Sequence, residues 1–152
     1  MRTTAALSAA IATSALALSG CSILESFTGT SVLNLEAGDC FLWPNDDLAS
    51  GEAVEVGTVS TVDCADAHDA EIYHVFDVTD GPWNEDAILT EGFETCVAEF
   101  EIFIGMPYET SEIYLDGLTP TQAGWEDGDH EIACYVYVPD TQTQGSLQGA
   151  AR

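Results

Sequence analysis

The spacing of hydrophobic and polar positions changes along this chain, and each change marks an element. Val54, Val56 and Val62 share one parity, with Val59 on the other, so 54–64 reads as a β-strand. Ile72, His74, Phe76 and Val78 alternate with Glu71, Tyr73, Val75 and Asp77. That is a second strand, expected to pair with the first as an antiparallel hairpin. The spacing then becomes helical. Leu89, Phe93, Cys96, Phe100 and Phe103 recur at 4, 3, 4 and 3 residues and predict an apolar stripe. Asn84 can cap this helix, and Glu85 and Asp86 suit the positive end of its dipole. Gly92 weakens its middle, and Gly105 and Pro107 stop it. A further strand is expected over 111–115. Thr119 and Pro120 predict the cap and first position of a short helical turn that reaches Trp125 and breaks at Gly128. Ile132, Cys134, Val136 and Val138 alternate with Glu131, Ala133, Tyr135 and Tyr137, a clear strand that Pro139 ends. Upstream, Gly38 and Asp39 form a turn before a short strand through Trp43, ended by Pro44. The expected class is α+β, a small antiparallel sheet covered by one main helix.

The two ends depart from this pattern. Residues 5–18 are apolar and uncharged after Arg2, the length and character of a signal-peptide core and too short for a comfortable membrane span. Leu18-Ser19-Gly20-Cys21 follows at once and reads as a lipobox. The expectation is a signal peptide over 1–20, cleavage before Cys21, and lipid on that cysteine, with the protein on the extracytoplasmic face of the cell membrane. Stable anchoring takes more than one acyl chain, at about 0.8 kcal/mol per buried methylene. Residues 21–33 read as a lipidated tether, 34–140 as the folded domain and 141–152 as a polar C-terminal tail.

Charge narrows the function classes. All 27 acidic residues follow Cys21, where Arg152 is the one base, so the side-chain charge beyond the leader is −26. Such a surface cannot displace counterions from nucleic acid and is repelled by anionic headgroups. At 46% hydrophobic and with patterned segments, the chain is still a folding one. Beyond Cys21 four cysteines remain: Cys40, Cys64, Cys96 and Cys134. An even number outside the cytoplasm reads as two disulfides, for which the count allows three connectivities. The faces favour one of them. Cys96 lies on the helical stripe and Cys134 on the Ile132/Val136 face, while Cys40 begins one strand and Cys64 ends the next.

Taken together, certain spaced residues resemble the septum formation-related domain of actinobacterial secreted and membrane proteins. They are Gly38-Asp39-Cys40-Phe41, then Val62-Asp63-Cys64 with His68 and Glu71-Ile72. Pro120-Thr121 with Trp125, Gly128-Asp129 and Cys134 follow, and Gly145-Ser146-Leu147 closes the set. Ala67 departs from that pattern where proline is usual, and His130 stands where it has arginine. The resemblance implies an envelope role and no established catalysis.

Candidate chemistry is sparse. His68, Glu71, Trp125 and Asp129 are the residues expected to contact a ligand, if any do. The favoured reading of His68 is a structural histidine that hydrogen-bonds the turn beside a disulfide. The acids around Asp127 and around Asp63, Asp66, Asp69 and Glu71 could hold calcium, but counting Asp127 as position 1 puts Val138 where an EF-hand needs glutamate. No nucleophile motif is present. Trp43, Trp83 and Trp125 could line a glycan surface or pack in the core. The reading is a lipid-anchored binding or scaffolding protein, with no catalytic residues, metal or cofactor expected. A divalent-cation- or cell-wall-glycan-binding module is the alternative, and a hydrolase a more distant one.

Overall fold

A computed structural model describes residues 29–44 and 55–152. Cys21, the leader and most of the predicted tether lie outside the described residues. The strands are β1 (Thr30–Ser31), β2 (Cys40–Leu42), β3 (Thr58–Val62), β4 (Ala70–Asp77), β5 (Tyr114–Leu118) and β6 (Glu131–Tyr137). They form one antiparallel sheet in the order β1-β3-β2-β4-β6-β5. Helix α1 (Glu85–Ile104) packs on one face, and the short α2 (Gln122–Glu126) precedes β6. The expected α+β class holds. No helix of the described residues is long and apolar enough to cross a membrane.

α1 begins where its sequence says. The Asn84 side chain accepts from Ala87 N at 3.3 Å, with Glu85 and Asp86 in the first turn. Gly105 ends it in the left-handed region (φ +89°) that glycine adopts without strain. The buried stripe differs from the predicted one. Ile88, Gly92, Cys96, Phe100 and Ile104 face the sheet, while Leu89 and Phe93 are 48% and 56% exposed. Gly92 explains the difference. An added Cβ there would stand 2.8 Å from Ile132 Cδ1, so the missing side chain lets α1 settle on β6 along this line. Phe93, one position on, is carried past the sheet.

Two expectations about strands also change. β3 and β4 are not a hairpin; β2 lies between them and pairs with both. Asp69 N donates to Phe41 O, and Ile72 N to Asp39 O, so β4 is stitched to β2 as its chain arrives. Parity along a strand sets its faces and is silent about its neighbour. Within β4 a bulge falls at Tyr73: Ile72 lies opposite Tyr135, but His74 lies opposite Cys134. Ile72 therefore joins the far face, while His74 and Phe76 turn toward α1. The Tyr73 hydroxyl is held at 2.6 Å from Cys96 O.

Both predicted disulfides form, Cys40–Cys64 and Cys96–Cys134. Their sequence separations of 24 and 38 residues correspond to about 3.5 and 4 kcal/mol in the chain-entropy model. The second ties α1 to β6 inside the main core, among Phe100, Ile104, Ile132 and Val136. A smaller cluster fills the other face around Phe41, Val59, Ile72 and Ala133.

The margins are more ordered than composition suggests. Thr30–Ser31, within the predicted tether, pair with β3. The C-terminal segment packs back onto the domain. Thr143 bridges to His68, Leu147 is buried, Ala151 N donates to Ile104 O, and Glu112 N donates to Arg152 O. The helical turn starts later than expected, with Thr121 as its cap, accepting from Gly124 N at 3.0 Å. Proline at 120 fits just outside the helix, where its missing N–H leaves no intrahelical bond unmade.

Candidate binding surface

The residues expected to contact a ligand fall into two groups, and both hold the fold together. His68 is 0% exposed. Its Nδ1 lies 3.0 Å from Asp66 O, a carbonyl that can only accept, so Nδ1 carries a proton. Nε2 lies 3.0 Å from the Thr143 hydroxyl, which donates to it when the ring is neutral. Glu71 is 2% exposed, accepting from the Ser146 hydroxyl at 2.6 Å and Leu147 N at 2.7 Å. Gly145 N donates to Cys64 O beside them. The C-terminal segment is thus fastened over the start of β4 by residues from two of the spaced motifs.

Trp125 and Asp129 form the second group. The indole is buried, donates to Gly81 O at 3.1 Å, stacks on His130 at 4.0 Å and meets Trp83 edge-on. Asp129 Oδ1 accepts from Glu131 N, and its carboxylate lies so close to Gly124 that a Cβ there would stand 3.1 Å from Oδ2. Among the described residues no hydrogen bond joins this group to the first. His130 reaches Asp80 at 3.0 Å, in the position where the family pattern has arginine.

Among the described residues the acids do not converge on a cation site. Asp63 caps Ala65 N, Asp69 accepts from Trp43 N and Gln142, and Glu71 turns to Ser146. Cys40, Cys64 and Glu71 do place ligand-type atoms within 4.8 Å of one another. The two sulfurs are bonded to each other, so they do not serve as thiolate ligands.

A different surface was not foreseen. A groove of about 1480 Å³ wraps around the sheet's edge at β5. On the α1 side Leu89 and Phe93 line it. On the other side lie Trp43, Tyr135, Tyr137 and Tyr114, with ring centroids 5.2–5.9 Å apart in succession. Asp116 sits among them, opposite Tyr135 in the register. Burial first, then the negative charge of Asp116, pushes the Tyr135 and Tyr137 phenols up and keeps them un-ionised. Trp83 and Trp125 pack against the main core instead, so of the three tryptophans only Trp43 belongs to this aromatic face. The alternation of Tyr135 and Tyr137 with Cys134 and Val136 was the signal for that face. Leu89 and Phe93 fit the helical period of the apolar stripe, so periodicity alone does not mark them as exposed.

No curated protein and no solved structure matches the chain. The family comparison does match: residues 37–152, from the turn at Gly38 through the packed C-terminal segment, fit the Septum formation family, and the chain belongs to it.

Proposed function

We propose that the chain is a lipoprotein, held to the extracytoplasmic face of the cell membrane by lipid on Cys21, that works in septum formation by binding another envelope component. The observation that carries the binding role is the use already made of His68 and Glu71. Every side-chain polar atom of these two residues is engaged by the chain itself, through Asp66, Thr143, Ser146 and Leu147. Three exposed large side chains, Leu89, Phe93 and Tyr114, gather instead around β5.

The anchoring is supported by the lipobox sequence and by two disulfides, which persist in oxidising compartments. Because Thr30 already belongs to the sheet, eight residues separate Cys21 from it, a reach of roughly 28 Å when extended. The domain would work close to the membrane surface. Mass spectrometry of the protein from membranes tests the anchor. Diacylglyceryl-modified Cys21 at the mature N-terminus is expected, and Cys21→Ala should release or leave uncleaved the chain. An unmodified Cys21 in the wild-type mature protein contradicts it.

A further inference from the structure

β5 is the last strand of the sheet, and among the described residues no strand covers its outer side. Such an edge offers backbone donors and acceptors to another extended chain. Here the two faces flanking the edge differ in chemistry. Toward α1 the exposed side chains of Leu89 and Phe93 share the groove with Gly117, which contributes only backbone. Toward the other face stands Asp116, whose carboxylate accepts from Gly117 N at 2.7 Å and which lies opposite Tyr135 in the register. Tyr114 and Tyr137 line the same face.

We propose that the free edge of β5 takes up an extended segment of a partner protein whose residues alternate cationic and apolar. The cations would meet Asp116 and the tyrosine rings, and the apolar residues would pass beneath Leu89 and Phe93. The inference rests on the binding role proposed above and names the partner's chemistry.

Alternation follows from strand geometry, since successive side chains of an added strand point to opposite faces. Cationic character follows from charge. The groove holds Glu55, Asp69, Glu85, Asp116 and Asp140 and no basic residue among its described lining. Carboxylate and aromatic faces both attract ammonium and guanidinium groups. A second copy fits poorly. Two antiparallel β5 edges would bring two Asp116-bearing faces together, on chains of net charge −25 each. A segment of this chain cannot supply the charge either, because it has two basic residues, and Arg152 is held at Ser111 and Glu112 through its carbonyl. The Asp116–Gly117 bond also guards the edge: an incoming strand without a cation would have to displace the carboxylate with nothing to pair it.

The test is binding of an acetylated, amidated (Lys-Val)4 peptide to the full chain in detergent at about 0.15 M salt. Measurable binding is expected, weakened at least about ten-fold when every peptide amide is N-methylated, and absent for (Glu-Val)4. Asp116→Asn should weaken it about ten-fold, while Glu101→Gln, the same charge change on exposed α1 surface, leaves it within about two-fold. No binding, indifference to N-methylation, or equal effects of the two substitutions overturns the proposal. So does a dimer of the peptide-free chain that Asp116→Asn strengthens. Any of these failures leaves Cys21 lipidation, read separately by mass, unaffected.

Discussion

Replacing Glu71 should loosen the C-terminal segment and cost a sizeable part of the chain's stability. The carboxylate is buried, and no basic side chain among the described residues pairs with it. Its two bonds, from Ser146 and Leu147 N, are charge-assisted, each of a kind worth about 1.5–3 kcal/mol. Glu71→Ala removes both and strands the Leu147 amide, but it also relieves the desolvation of a buried carboxylate. The expected net cost is about 2–4 kcal/mol, against a typical total of about 5–15. Glu71→Gln keeps an acceptor oxygen for one of the two donors and should cost about half as much. Urea unfolding of the full chain reads the free energy, and hydrogen exchange reads the Leu147 amide. That amide should exchange at least ten-fold faster in Glu71→Ala. A cost below about 0.5 kcal/mol, or unchanged exchange at Leu147, would refute the claim that Glu71 fastens the segment.

Other substitutions probe the second group and the charge. Burial, then Asp77 and Asp129, pushes the Glu131 carboxyl up, and Asp77 lies directly across the sheet from it. A raised carboxyl disfavours its charged form, so stability falls as pH rises through the ordinary carboxylate range. Glu131→Gln should therefore melt higher than wild type at pH 7 and equally at pH 3; no gain at pH 7 would contradict this. His130→Arg puts a permanent cation over Trp125 and beside the exposed Asp80, and thermal unfolding should show a gain of about 0.5 kcal/mol. Self-repulsion at net charge −25 predicts that sodium chloride raises the melting temperature below about 0.1 M, checked by calorimetry across a salt series.

The parts of this fold that are local in sequence could be read from it. Asn84, Gly105 and the alternation through Cys134 and Val136 place α1 and β6 because caps and periodicity act within a few residues. The same alternation put Cys134 on the face that meets Cys96, which made the disulfide pairing legible. What escaped depends on contacts distant in sequence. β2 enters between β3 and β4 through bonds from Asp69 and Ile72 to residues some thirty positions earlier. Tyr73 bulges with its hydroxyl on Cys96 O, and that one extra residue puts His74 on the face opposite Ile72. Gly92 chose the buried stripe by close approach to Ile132, which no periodicity in α1 encodes. The sequence offers His68 and Glu71 as candidate ligand contacts, but apart from the Asp66 carbonyl their partners lie 75 or 76 residues away in a segment that composition alone describes as a polar tail.

Joined together, the two proposals have an anchored domain act at the septum through the edge of β5, a behaviour that can be watched in cells. Its most direct test is the septal enrichment of the full chain in dividing cells, followed with a fluorescent fusion that matures outside the cytoplasm. Phe93→Asp alters an exposed groove residue without touching the disulfides, His68 or Glu71. Wild type should concentrate at the septum, and Phe93→Asp should remain in the membrane at equal abundance but spread evenly. Undiminished septal enrichment of Phe93→Asp, or wild type that is itself evenly spread, would contradict the account.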